Sequence, residues 1–192
     1  MTEMKKYDNF DEFSEHVLEL YRKGNYAESF GMLKAGMELF PEERWTTTSW
    51  GMCLAALNND KETALRLFQE GLDAGMWWSR ELIRDDEDLK TLQGDSAFER
   101  LAAECEKRAD MARAEARPDM LVLTPNLAEE REYPLVIGIH GRNQSAQRAA
   151  APWRELQARG WIVALPQSSQ ILGSDAYTWD DWDMALNELH AH

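Results

Sequence analysis

The chain has 192 residues, 44% hydrophobic and 29% charged, enough apolar material for a folded core in one or two domains. A net charge of −14 would repel phosphates and argues against a nucleic-acid partner. No apolar run approaches the roughly 20 residues needed to span a bilayer.

Residues 1–13 lack the apolar segment of a secretory signal, so a cytoplasmic location is expected. Cys53 and Cys105 lie far apart on predicted helix faces and read as small buried thiols, not as a disulfide or a metal site. CxxC, HExxH and paired histidines at helical spacing do not occur, so neither metal nor cofactor is expected.

The chain changes character near Pro118. Before it, apolar residues recur at helical spacing and Pro41 is the sole proline; after it come short β-rich runs between turns. The change predicts an all-α domain over 1–117 and an α/β domain over 118–192.

Within the first half, residues 24–39 align with residues 59–74 at an offset of about 35, matching Met32 to Leu67, Leu33 to Phe68 and Gly36 to Gly71. Tyr26, Phe30, Leu33 and Met37 fall on one helix face, and Gly36 and Gly71 would let a neighbouring helix approach closely. Trp77, Trp78, Leu82 and Ile83 would close the end of the stack. Asp85, Asp86 and Asp88 read as a solvated turn, because no calcium-loop spacing follows. Asp95 or Ser96 caps a final helix with an apolar stripe of Phe98, Leu101, Ala102, Cys105 and Ala109, and Pro118 ends it.

This repeat, in particular its KGNYxES…P segment over 23–41, resembles the tetratricopeptide repeat family. The second copy departs from the pattern, with Lys61 where the first has Tyr26 and no closing proline. The resemblance implies a helical solenoid that binds a protein partner; the alternative is a helical bundle with no partner.

In the second half, residues 120–125 predict a strand and 126–134 a polar connection of hairpin type. Residues 135–141 are a continuous apolar run, as in a strand covered on both faces. A helical segment opens at 142, restarts at Pro152 and stops at Gly160. Residues 161–167 predict a second buried strand and 168–178 a loop. A last helix follows, with Trp179, Trp182, Leu186 and Leu189 on one face and Thr178 and Asp181 spaced as a capping box. A strand–helix–strand unit implies a parallel pair, with ligands at its carboxyl ends. His140, Gly141, Arg142 and Asn143 would leave one strand there, and Gln167, Ser168, Ser169 and Gln170 the other.

PLVIGIHGRNQ, followed by GWIVALPQSSQ and YTWDD, resembles the α/β-hydrolase fold in its phospholipase/carboxylesterase-like branch of serine esterases. The resemblance covers about residues 119–192. It implies that the loop after the His-Gly pair forms part of an oxyanion hole, with Arg142 offering its main-chain N–H and Asn143 or Gln144 fixing the loop or touching substrate. His140 reads as a histidine that holds the loop by hydrogen bonds, ahead of a catalytic base. Ser168 and Ser169 read as loop hydroxyls on the rim.

No GxSxG nucleophile turn occurs in the sequence, and His190 and His192 belong to a helix end. The expectation is therefore the N-terminal part of a longer serine esterase of broad carboxylic-ester type, with a small-molecule ester substrate, itself inactive, with an incomplete sheet whose apolar faces lack half their cover. The competing reading is a protein-interaction module with an inactive hydrolase-like tail. A nucleotide-binding unit is disfavoured, because HGRNQSAQ contains neither GxGxxG nor GxxxxGK.

Overall fold

The computed structural model describes residues 7–126 and 132–191. The chain divides into two compact units, Met1–Cys105 and Glu106–His192.

The first unit is helical. Helix α1 (Phe10–Arg22) starts at Asn9, whose side chain accepts the Glu12 N–H, and α2 (Tyr26–Leu39) follows. A 3-10 turn at Pro41–Glu43 leads into α3 (Arg44–Leu57). Helix α4 (Lys61–Asp73) is capped by Asp60, which accepts the Thr63 N–H at 3.0 Å. Successive helices pack against one another from α1 to α4.

The 35-residue offset is repeated in the backbone. Gly24 and Asn59 both take left-handed φ, at 75° and 59°. After α1, Asn25 N–H donates to Leu20 O; after α3, Asp60 N–H donates to Ala55 O. Both are left-handed helix terminations of one kind. The aligned glycines also share a role. A Cβ at Gly36 would stand 2.1 Å from the Phe13 ring of α1, and one at Gly71 would stand 2.5 Å from the Trp78 indole. Gly36 thus admits a neighbouring helix, whereas Gly71 admits a ring from the connection that precedes α5 (Arg80–Arg84).

The aspartates after α5 are not all solvated, contrary to the sequence expectation. Asp85 is exposed, but Asp86 and Asp88 are half-buried. Asp88 accepts the Tyr21 hydroxyl at 2.9 and 3.1 Å, and the Cys53 thiol donates to Asp86 at 3.7 Å. They fasten the 3-10 segment Glu87–Leu92 to α1 and α3. Helix α6 (Ser96–Glu115) is capped by Asp95, which accepts the N–H groups of Ala97 and Phe98. Its stripe of Phe98, Leu101, Ala102, Cys105 and Ala109 is buried.

The second unit is built on three strands in the order β1 (Asp119–Leu123), β3 (Ile162–Gln167), β2 (Leu135–Ile137). Strand β1 is antiparallel to β3, pairing Asp119 with Gln167, and β2 is parallel to it, pairing Leu135 with Ile162. Helices α7 (Ala146–Ala149) and α8 (Arg154–Ala158) connect β2 to β3 through a 3-10 turn at Ala151–Trp153. The expected hairpin over 126–134 does not form, because β3 lies between β1 and β2; residues 127–131 of that connection fall outside the described part. Strand β3 is central for a physical reason: Val163 to Pro166 are all buried, and a doubly covered strand gains most from neighbours on both edges.

One sheet face, with Leu123, Val163 and Leu165, is covered by Ala146, Ala150, Trp153 and Leu156. The other is open, with Val122, Leu135 and Ile137 at 47%, 57% and 60% exposure. Strand β2 is therefore not covered on both faces as its apolar run suggested, whereas Ala164 and Pro166 of the central strand are buried on that same face. Gly138 ends β2, and a Cβ there would stand 2.7 Å from the Trp153 ring.

The expected loop over 168–178 contains a short antiparallel hairpin, β4 (Ile171–Gly173) and β5 (Ala176–Tyr177), turning at Asp175 with φ 56°. Helix α9 (Trp182–Ala191) begins at Asp181, whose Oδ1 accepts the Met184 N–H at 2.9 Å. The cap is thus Asp181 itself and not the Thr178 box. Its buried face is Ala185 and Glu188, while Trp182 and Leu186 are exposed, so the predicted face is rotated. His190 is exposed in its last turn, and His192 lies outside the described residues. Among the described residues no helix is long and apolar enough to cross a membrane.

Candidate active-site loop

The parallel pair β2–β3 brings the two predicted polar clusters together at its carboxyl end. His140, three residues beyond β2, is 3% exposed. The Ser168 main-chain N–H donates to its Nε2 at 3.3 Å. Because a main-chain N–H can only donate, Nε2 accepts, and the ring proton sits on Nδ1, which donates to Gly141 O at 3.0 Å. The ring lies 5.0 Å from that of Trp179 and edge-on to Tyr177 at 6.3 Å. Burial lowers the His140 pKa, partly opposed by the Gly141 carbonyl, so the imidazole is neutral at neutral pH.

Gln167 completes the seam. Its Oε1 accepts the Ala146 N–H at 2.8 Å, and its Nε2 donates to Ser168 O at 3.0 Å while standing 3.4 Å from His140 Nε2. Ser168 is fully buried, its Oγ accepting the Gln170 N–H at 3.0 Å. Ser169 donates its hydroxyl to Glu188 of α9, which also accepts the Ser169 N–H at 3.2 Å. Both predicted rim serines are therefore engaged in holding the loop.

The loop itself turns tightly. Gly141 N–H donates to Gln144 Oε1 at 3.3 Å, and Gln144 N–H returns to Gly141 O at 3.3 Å. Asn143 has φ 62°, a conformation its short amide tolerates. Its N–H donates to Tyr177 O at 2.9 Å, and Tyr177 N–H donates to Gln144 O at 3.0 Å, so the loop borders the β4–β5 hairpin. The Asn143 Oδ1 is buried and has no hydrogen-bond partner among the described residues. Arg142 Nε pairs with Asp180 at 3.1 Å. Both side chains are half-exposed, so the pair contributes little stability. The Thr178 hydroxyl and then Arg142 hold the Asp180 carboxyl below its ordinary range.

Direct hydrogen bonds therefore join His140, Gly141, Gln167 and Ser168, while Arg142 and Asn143 reach the hairpin side. Sequence reasoning did not assign Tyr177, Asp180 or Glu188 to the site, and it placed Trp179 on the face of the last helix, whereas Trp179 precedes that helix and lies against His140. The YTWDD segment did carry Tyr177, Trp179 and Asp180, but Glu188 gave no signal, because its partner Ser169 is 19 residues away. In chemical terms the arrangement is a main-chain turn fixed on a neutral histidine.

A second cluster lies in the helical unit, where Cys53, Asp86 and Asp88 place donor atoms within 4.8 Å of one another. The protein itself satisfies these groups: Asp86 also caps Asp88, Asp88 holds Tyr21, and burial and then the two carboxylates push the Cys53 thiol well up. They are the described residues best placed to hold a cation.

No curated protein matches the chain. Among solved structures it is similar to an uncharacterized protein from Bacillus cereus ATCC 10987, with TM-score 0.51 and 23% identity, over 96% of this chain and 59% of that one. That likeness is one of fold, and this chain spans 59% of the length of the Bacillus protein. A family model described as "A/B hydrolase-like, N-terminal domain" matches residues 4–113. The match falls on the helices and not on the sheet that carries the His-Gly loop, so the helical half bears a hydrolase-related signature independent of that loop. Because it covers more than half of the sequence, the chain belongs to the A/B hydrolase-like N-terminal domain family.

Proposed function

We propose that the chain is the N-terminal portion of a cytoplasmic serine esterase acting on small carboxylic esters. In this reading residues 1–117 are a tetratricopeptide-like repeat domain, and 118–192 begin a phospholipase/carboxylesterase-like hydrolase domain. The observation that carries it is the hydrogen bond from His140 Nδ1 to Gly141 O. A trans peptide is planar, with its C=O and N–H pointing in opposite directions. Holding the Gly141 carbonyl against His140 therefore sets the direction of the Arg142 N–H away from the ring. A donor fixed before reaction stabilises a developing oxyanion without reorganisation, an effect worth about 3–4 kcal/mol per donor in acyl transfer. His140 is a positioning residue here, Asn143 and Gln144 shape the turn, and Gln167 and Ser168 form the rim.

The sequence holds no GxSxG turn, so the nucleophile, acid and base belong to residues outside these 192. The chain alone is expected to leave p-nitrophenyl acetate unhydrolysed above background. The open reading frame that encodes it, expressed in full, is expected to hydrolyse that ester and to lose activity on Arg142→Pro, which removes the proposed donor N–H. A full-length product with no esterase activity would reject the reading.

The second reading, an interaction module with an inactive tail, draws on the matched terminations at Gly24 and Asn59. Capture of one partner by the intact chain, stable to salt and lost on changes to exposed residues of α1–α4, would favour it.

A further inference from the structure

A crevice of about 610 Å³ lies at the carboxyl end of β3. Its walls include Ala112 of α6, Ala116 just beyond the helix, Pro118, Gln167, Ile171 and Tyr177. That volume falls within the roughly 300–1,000 Å³ of small-molecule sites. Two wall residues also belong to the His140 loop assembly. Gln167 stands beside His140, and the Tyr177 main chain bonds to Asn143 and Gln144. The crevice thus shares Gln167 and Tyr177 with the assembly that holds the Gly141 turn.

The lining indicates what fits. Ala112 and Ala116 stand one turn apart and present methyl groups, and Ile171 and Pro118 add apolar surface. Gln167 and Tyr177 are the uncharged polar residues of the lining. Burial, and then Asp175, raise the Tyr177 pKa above 10.0, so its hydroxyl remains a hydrogen-bond donor at physiological pH. The charged lining residues are the acids Glu115 and Asp119 and the base Arg117. Arg117 is turned onto the helix end, donating to Ala114 O at 3.1 Å and Ala116 O at 2.5 Å. The acidic excess of the lining is thus unfavourable to an anion.

We propose that this crevice binds the non-reacting part of the substrate, an uncharged and compact apolar group with an acceptor for the Tyr177 hydroxyl, and that the end of α6 sets its size. The proposal rests on the esterase reading above and adds to it the substrate class and the wall that selects it. A free carboxylate or a phosphate ester is disfavoured by the acidic excess of the lining.

The test is a methyl and amide NMR titration of the intact 192-residue chain with phenyl acetate, and in parallel with benzoate as the anionic counterpart. Saturable shifts are expected at the Ile171, Ala112 and Ala116 methyls and at the Gly141 and Arg142 amides, with benzoate at least ~10-fold weaker, the factor that 1.4 kcal/mol represents. Ala116→Leu should weaken phenyl acetate at least as much by filling the crevice. Tyr177→Phe, which keeps the ring and the main-chain bonds, should weaken it ~3- to 10-fold through loss of one hydrogen bond. Shifts at Gly141 and Arg142 with silent Ile171, Ala112 and Ala116 would overturn the crevice and leave the loop reading intact. Shifts at the crevice methyls with silent loop amides would overturn it as a substrate subsite. Equal response to benzoate, or full affinity in Tyr177→Phe, would overturn the assigned substrate class.

Discussion

The Ser168 main-chain N–H donates to His140 Nε2 at 3.3 Å and thereby joins the ends of two parallel strands that are 27 residues apart in sequence. The same ring holds Gly141 O through Nδ1. One buried neutral imidazole therefore fixes both sides of the candidate rim.

This bond predicts a pH dependence. An unfolded histidine takes its proton near 6.5, and the folded His140 takes it at lower pH because burial disfavours the cation. Between those values the unfolded chain binds more protons. Stability is thus complete above about pH 6.5 and falls as the pH drops towards the lower folded value. Melting temperatures from pH 8 to 5 should show this fall in the native chain and a shallower one in His140→Gln. Identical slopes would remove His140 as its source.

Glycine replacements on α2 should separate close packing from helix propensity. A Cβ at Gly36 meets the Phe13 ring at 2.1 Å, whereas one at Gly31 meets nothing within 4 Å. Gly36→Ala is expected to destabilise by ~1–3 kcal/mol, since the ring and helix must move apart. Gly31→Ala, on the exposed face, should stabilise by ~0.5–1 kcal/mol. Urea denaturation of the two variants measures both, and a Gly36→Ala chain as stable as the parent would refute the contact.

Tyr21 and Asp88 form a coupled pair. Burial, followed by the hydrogen bond to Asp88, pushes the Tyr21 pKa to about 12. Asp88 itself is raised, chiefly by burial, with Asp86 adding to the shift while the Tyr21 bond opposes it. Asp88→Asn keeps an acceptor and removes the charge. Phenolate absorbance should then show Tyr21 ionising at lower pH, still above 10 because burial remains. An unmoved titration would mean that Asp88 does not govern it.

Asn143 tests backbone against side chain. At φ 62° glycine is unstrained, and Asn143→Gly also removes the buried, unpartnered Oδ1. Its stability should lie within ~0.5 kcal/mol of the parent, whereas Asn143→Val should lose ~1–2 kcal/mol from left-handed strain. Equal losses in both variants would place a structural role on the amide itself.

The helical half was legible because its contacts are local. Helix period, the 35-residue offset and the Asp95 cap depend on residues a few positions apart, and the structure repeats the offset down to the φ of Gly24 and Asn59. The half-buried aspartates were not legible, since Tyr21 is 67 residues from Asp88. In the sheet half, sequence placed the two strands and the polar residues at their ends. It did not reveal β4 and β5, because strands of three and two residues show no periodicity.

What the sequence by itself determined is the region of each longer helix and of the three sheet strands, which residues are apolar, and that His140, Gly141 and Gln167 lie at or beyond strand ends. Only tertiary structure decided that β3 separates β1 from β2, that α9 buries Glu188 while exposing Trp182, and that the His140 ring joins Gly141 to Ser168. The reason is physical. Strand order, helix rotation and buried polar pairing are chosen by which distant partner completes a hydrogen bond or covers a face, and no local pattern encodes that partner.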